Sequence, residues 1–236
     1  MEYKVKHHQV IKSALENLNA DFFFEHNILF GGGTRIALEL SEFRESIDID
    51  FLCPDKVAYR AVREQVSNTS LGDLVKKDFV YARDIRFDRD GVRTIIDFQG
   101  TKIKMEFVSF DNYTLSSSNT PGVFPIPYLD QVSCFYTKLL ANADRHLVPP
   151  YKDAFDLLAM YKEWGSLPQR AITLAEEHYG QAGILPPLMD ALQDIIAKPS
   201  RYEQVAESLK MNRAWIQDIV YIYPEKLLKE LMTKQQ

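Results

Sequence analysis

Two aspartates one residue apart, Asp48 and Asp50, lie in the alternating run Ser46-Ile47-Asp48-Ile49-Asp50-Phe51. On a strand this alternation turns both carboxylates to one face and Ile47, Ile49 and Phe51 to the other. Neighbouring carboxylates repel unless a cation sits between them. Hard oxygen ligands at this spacing suit Mg2+ or Mn2+, ions that keep waters and take further ligands from substrate phosphates. Just upstream, Ile28-Leu29-Phe30 runs into Gly31-Gly32-Gly33, and Thr34 opens a helix-forming segment from Arg35 to Leu40. Glycine admits positive φ and brings backbone N–H groups close to a ligand, and the first turn of a helix has unpaired N–H groups and a partial positive charge, so a phosphate fits there. Singly, a glycine triplet also reads as a plain turn and Asp-x-Asp as a solvated strand edge. Paired in this order they point to a phosphate cradle beside a cation site. The run lacks the Gly-Lys-Ser/Thr ending of a P-loop and the Gly-x-Gly-x-x-Gly spacing of dinucleotide binders, which disfavours both classes.

Further charged residues extend this pattern. Glu106 lies in the alternating run Lys102-Ile103-Lys104-Met105-Glu106-Phe107-Val108, where a buried carboxylate needs a cation or donor. It is a candidate third metal ligand, and equally a partner for a cross-strand ion pair with Arg93. Arg44, just before Ser46, can hold a triphosphate or neutralise the carboxylates, or it pairs at the surface with Glu42 and Glu45. Lys138, Asn142 and Arg145 fall on neighbouring turns of one expected helix, Leu129 to Arg145. After Pro149-Pro150 a new helix opens at Tyr151-Lys152-Asp153-Ala154-Phe155-Asp156, where acids near the start also serve as caps and match the helix dipole.

The elements that must position these residues follow from periodicity. Val10, Ile11, Ala14, Leu15, Leu18, Phe22 and Phe23 predict one amphipathic helix from about Lys4 to Glu25, with the adjacent His7 and His8 near its start read as solvated. Pro54-Asp55 starts another helix. Asp90-Gly91 and Gln99-Gly100 are hairpin turns, so Asp84 to Val108 reads as a three-stranded antiparallel meander. From Leu167 to Met232 the chain reads as helical, punctuated by Pro168, Gly180, Pro186-Pro187, Pro199 and Pro224. The expected architecture is α+β: a mixed sheet with flanking helices over residues 1–127, then a helical domain over 128–236 that contributes residues to the active-site cleft. With 236 residues, 46% of them hydrophobic, the chain can bury a sizeable core. A net charge of -5 argues against a non-specific nucleic-acid coat, although a local basic cleft is compatible with it. Cys53 and Cys134 lack metal-type spacing and read as buried thiols of a reducing compartment. No apolar run reaches membrane-spanning length, and the expected location is the cytoplasm.

Gly32-Gly33-Thr34 before a helix, then Arg44-x-Ser46-x-Asp48-x-Asp50, then an acid on a later strand at Glu106, resembles the nucleotidyltransferase fold. Lys138 followed by Arg145, and Lys152-Asp153-x-x-Asp156-Leu157, resemble the AbiEii/AbiGii toxin family within it, the likeness spanning roughly Ile28 to Met160. The resemblance implies that Gly32, Gly33 and Thr34 hold nucleotide phosphates, with Arg44, Ser46, Arg145, Lys152 and Asp153 also on the nucleotide. It implies that Asp48, Asp50 and Glu106 bind two Mg2+, that Lys138 contacts phosphates, and that Asp156 or Asp153 helps activate an acceptor hydroxyl. It further implies an NTP substrate, a toxin role, transfer to an acceptor such as the 3′ end of tRNA, and an antitoxin partner. Two positions depart from the family pattern. Glu106 stands where Asp is usual, which lengthens its reach, and Lys152 stands where Arg is usual, which loses a bidentate fork. A second reading keeps the fold without the chemistry, as a binding module whose helical half docks RNA or a protein.

Overall fold

The computed structural model describes residues 2–118, 120 and 122–234. The polar stretch Ser116 to Gly122 includes Asn119 and Pro121, which lie outside the described residues. The chain divides into two compact units, Met1–Glu39 with Ser46–Asp130, and Leu40–Glu45 with Gln131–Gln236.

The first unit is built on a mixed sheet. Helices α1 (Lys6–Glu16) and α2 (Ala20–Glu25) precede strand β1 (Leu29–Gly31), helix α3 (Gly32–Glu39), strand β2 (Asp48–Cys53) and helix α4 (Lys56–Gln65). Strands β3 (Val80–Tyr81), β4 (Arg86–Phe87), β5 (Gly91–Phe98) and β6 (Thr101–Ser109) follow. The strand order is β1-β2-β6-β5-β3, with β4 also on β5. All neighbours are antiparallel except β2 and β6, which run parallel. The predicted meander is present over β4, β5 and β6, and β3 adds a second short strand to β5.

The single amphipathic helix expected up to Glu25 is two. The break falls at Asn17–Asn19, where the Asn19 N–H donates to the Leu74 carbonyl at 3.1 Å and the Lys76 N–H to the Asn17 carbonyl at 2.8 Å. Asparagine competes poorly for helix interiors, and here the backbone finds partners outside the helix. Asp55 caps α4 as the sequence indicates, its carboxylate accepting the Ala58 N–H at 2.8 Å.

The strands alternate cleanly. Ile49 and Phe51 of β2, Ile103, Met105 and Phe107 of β6 and Val92 and Ile96 of β5 are buried on one face. Phe51 and Phe107 stack there at a centroid distance of 4.7 Å, and Phe23 of α2 meets Phe51 edge-on at 5.0 Å. Each such ring stabilises the unit by roughly 1.5–3 kcal/mol on burial. That packing fixes the register, and a slip by one residue would exchange the two faces.

The second unit is helical: α5 (Gln131–Arg145), α6 (Lys152–Trp164), α7 (Gln169–Tyr179), α8 (Leu185–Ala197), α9 (Pro199–Ser208), α10 (Arg213–Ile216) and α11 (Tyr223–Lys234). Pro186 and Pro187 lie in the first turn of α8 and Pro199 opens α9, positions where a missing N–H is tolerated. A π-helical turn, Gln217–Ile222, joins α10 to α11 directly before Pro224. Such a turn relieves the clash of the proline ring with the preceding turn. Cys53 and Cys134 are buried and unbridged, and burial pushes the Cys53 thiol up to about 12. Among the described residues no helix is long and apolar enough to cross a membrane.

Candidate active site

The acidic face of the first unit is set by strand register. Asp50 stands opposite Glu106 and Asp48 opposite Lys104 in the parallel β2–β6 pair, while Arg93 of β5 stands opposite Glu106 on its other side. Residues in register share a face, so Asp48, Asp50, Glu106, Lys104 and Arg93 all project away from the Phe51–Phe107 core. Asp48 and Asp50 are half-buried. Glu106 is bound by Lys104 Nζ and by Arg93 Nε, the latter at 3.3 Å. The cross-strand ion pair and the placement on the aspartates' face therefore both hold.

β1 delivers the glycines to this face. Gly31 is paired with Asp50, and α3 starts at Gly32, two residues earlier than Thr34. Gly32 has φ +69°, and a Cβ there would lie 2.2 Å from Asp50 Oδ2. Only glycine combines that backbone angle with so close an approach to the carboxylate. Thr34 and Ser46 turn inward. The Ser46 and Thr34 hydroxyls are 2.8 Å apart, and Thr34 donates to the Asp48 carbonyl. Thr34 is 1% exposed and Ser46 9%, so their side chains tie α3 to the entry of β2. Arg35 pairs with Glu39 one turn along the same helix at 2.6 Å and lies over the Tyr128 ring, which ties the helix to the chain beyond the sheet.

The Ser46 N–H donates to His8 Nε2 at 3.0 Å, and His8 is completely buried. The adjacency of His7 and His8 predicts a solvated pair, and the structure buries His8. The signal was present, since His8 stands in line with Ile11 and Leu15 at helical spacing, on the stripe that α1 buries.

The charged residues of the second unit form a separate network. Arg44 grips Asp156 with two hydrogen bonds, Nε to Oδ1 at 2.8 Å and Nη2 to Oδ2 at 2.9 Å, and its Nη1 donates to the Glu45 carbonyl. Lys138 Nζ lies 2.8 Å from Asp153 Oδ1 and 2.7 Å from Asp156 Oδ2, and Arg145 Nε donates to Asp153 Oδ2 at 2.6 Å. Arg44, Lys138, Asp153 and Asp156 are buried. Three cations face two carboxylates, leaving one net positive charge. Burial opposes the charge on Asp153, but Lys138 and Arg145 outweigh it and hold the carboxyl well below the usual range. Burial likewise opposes the Lys138 ammonium, while Asp156 and Asp153 raise its pKa above that of a free lysine. The hydrogen bond that Arg145 donates to Asp153 also raises the pKa of Arg145. Lys152, half-buried at the start of α6, stands outside these bonds.

No three histidine, cysteine, aspartate or glutamate side chains among the described residues are drawn together as a metal cage. The donor set is nonetheless all oxygen, and Mg2+ is held by one or two carboxylates plus substrate phosphates in preference to a full protein cage. Asp48 and Asp50 fit that requirement. Glu106 fits it on leaving Lys104 and Arg93.

A mixed sheet that presents paired aspartates beside a glycine-opened helix defines the nucleotidyltransferase fold. Consistent with this, the structure is similar to that of a candidate nucleotidyltransferase from H. pylori, with a TM-score of 0.55 and 14% identity over 97% of this chain and 98% of that one. It is also similar to JHP933 from Helicobacter pylori, with a TM-score of 0.54 and 15% identity over 99% of this chain and 97% of that one. At these identities the likeness is one of fold. No functionally curated protein matches the chain. Residues 13–218 match the family described as nucleotidyl transferase AbiEii toxin, type IV TA system, and the chain belongs to that family.

Proposed function

We propose that this chain transfers a nucleoside monophosphate from an NTP to an acceptor hydroxyl, as the cytoplasmic toxin of a toxin–antitoxin pair. The acceptor class we assign is RNA, with the 3′ end of tRNA as the leading case, and the protein partner is the cognate antitoxin. One observation carries the reading: Asp48, Asp50 and Glu106 share a face against which the Gly32 backbone is pressed.

Asp48 and Asp50, with Glu106, would hold Mg2+ or Mn2+, which when bound polarises phosphate oxygens and lowers the pKa of an acceptor hydroxyl. Gly32 and Gly33 offer the N–H groups of the first turn of α3 to the phosphates. The hydroxyls of Thr34 and Ser46 are committed to each other and to the Asp48 carbonyl, so these residues support the carboxylate strand. Lys138 remains cationic, and we assign it, with Arg145 and Lys152, to offset the charge that grows on the phosphates during transfer. Arg44 is closed on Asp156, which suits it to anchoring instead of direct phosphate contact. Asp156 is fully buried with both oxygens bonded, and Asp153 is a weakened base. Their part is to fix Lys138 and Arg145, a role better supported than activation of the acceptor.

Incubation of the purified protein with each labelled NTP, Mg2+ and total cellular RNA tests the reading. Label should enter RNA with the wild type and vanish with Asp48→Ala and with Asp50→Ala, both still folded. Label retained by both variants rejects the enzyme. The ion pairs of Glu106, which satisfy it without a metal, favour the alternative of a binding module. Such a module shows no Mg2+-dependent stabilisation by NTP, whereas the enzyme does.

A further inference from the structure

His8 is a buried titratable side chain to which neither the acidic face nor the ion network assigns a task. It sits in the first turn of α1, fully buried, with its ring edge-on to Tyr3 at 6.4 Å. Its Nε2 lies 3.0 Å from the Ser46 backbone nitrogen. A backbone N–H can only donate, so this Nε2 carries no proton and the ring's hydrogen is on Nδ1. The adjacent His7, at the surface, places its Nε2 3.2 Å from the Ile47 carbonyl. A carbonyl can only accept, so there Nε2 is the donor. Two neighbouring imidazoles in opposite hydrogen-bonding roles thus hold one dipeptide, Ser46–Ile47, by its N–H at one end and its C=O at the other. The bonds continue inward from the Ser46 hydroxyl to Thr34, and from Thr34 to the carbonyl of Asp48. Hydrogen bonds on the backbone and on the side chain of Ser46 therefore link α1, through that one residue, to the residue that bears the first carboxylate.

We propose that His8 is a positioning residue: its unprotonated Nε2 fixes the Ser46 amide and thereby sets where the Asp48 carboxylate enters the acidic face. The inference rests on the nucleotidyltransferase reading for what that carboxylate does, but the positioning itself can be measured without turnover. A purely structural histidine would satisfy one buried N–H and leave the metal affinity of the aspartates alone. A positioning histidine controls that affinity, because a ligand displaced by a fraction of an ångström no longer meets the ion.

The test compares His8→Phe, which keeps a ring and removes the acceptor, with His8→Gln, whose Oε1 reaches about as far as Nε2. His8→Asn, whose oxygen stops short, replaces the phenylalanine variant if that one fails to fold. Three quantities are read on the full chain: hydrogen exchange at the Ser46 and Asp48 amides, Mn2+ affinity by electron paramagnetic resonance, and kcat and KM for NMP transfer. In His8→Phe, or His8→Asn, exchange should accelerate and Mn2+ should bind several-fold more weakly. The same variants should lose kcat by on the order of 10- to 100-fold with KM for NTP little changed. His8→Gln should recover all three. Unchanged Mn2+ affinity in a folded acceptor-less variant overturns the proposal, as does a glutamine variant no better than the asparagine one, or a wild type that binds no Mn2+. A wild type that binds Mn2+ yet transfers no nucleotide overturns the proposed function alone, and the exchange and affinity data then still decide the role of His8.

Discussion

The acidic face of the first unit and the ion network of the second contain similar residues in opposite circumstances. On the sheet, Asp48 and Asp50 are half-buried and Glu106 is met by Lys104 and Arg93, whose side chains are 44% and 38% exposed. Exposed partners are screened by water, so their ion pairs contribute little and exchange readily for a ligand. In the helical unit, Arg44 and Asp156 are sealed from solvent, and each carboxylate has two cations within bonding distance. Charges buried there cannot fall back on water if a partner is lost. Charge density alone therefore does not mark a reaction centre. Glu106, whose partners face water, can exchange them for a ligand, and the buried, fully compensated acids hold other groups in place.

The sharpest way to break this contrast is to delete one acid from each side. Asp50→Ala should abolish transfer, by upwards of about 1000-fold or roughly 4 kcal/mol in the barrier, with thermal unfolding hardly moved. Asp156→Ala should act first on stability, with transfer lowered only as far as Lys138 loses one of its two anchors. It leaves the Arg44 guanidinium buried without its bidentate partner, and equilibrium unfolding should show a loss of about 3–5 kcal/mol. If the two variants were to lose stability equally, the distinction between the two clusters would be void.

Gly32→Ala sharpens the first half of the comparison. The added methyl must push the Asp50 carboxylate aside, so transfer should drop by on the order of 10- to 100-fold and the Mg2+ requirement should rise, as a metal titration of the initial rate would reveal.

Acidification sharpens the second half. The folded pKa of Asp153 lies below its unfolded value near 3.9, so its contribution to stability is complete above that value and is lost as the pH falls toward the folded pKa. Melting temperatures taken from pH 6 downward should therefore decline below about pH 4–5, and Asp153→Asn should start from a lower melting temperature and decline less. A decline of the same size in Asp153→Asn would mean that other carboxylates carry the acid sensitivity. The smallest effect is expected from Lys104→Ala. Its ion pair with Glu106 is exposed, and removal should change stability by no more than about 1 kcal/mol in chemical denaturation.

Much of the acidic face could be read from the chain. The alternation from Ser46 to Phe51 placed two carboxylates on one side because a strand has a period of two, and Gly31 to Gly33 announced a tight approach because no other residue permits it. The helix start at Asp55 was legible for equally local reasons, and so was the punctuation at Pro186 and Pro199, where the structure starts α8 and α9. The split of the first helix at Asn17–Asn19 was not, because the groups that complete it, Leu74 and Lys76, lie far along the chain. The adjacency of His7 and His8 points locally to solvent, but His8 falls in the apolar stripe of α1, and the stripe prevails.

By itself, then, the sequence determined which residues could face together within one strand or one helix, since backbone geometry alone sets those periods. Tertiary structure decided the partnerships. It set Glu106 beside Asp50 by pairing β6 parallel to β2, joined His8 to Ser46 across 38 residues, and closed Arg44 on Asp156 across 112. Partners so distant are chosen by the packing of the apolar faces behind them. A polar residue's own neighbourhood in the chain therefore does not reveal whether it will be fixed in place or left able to react.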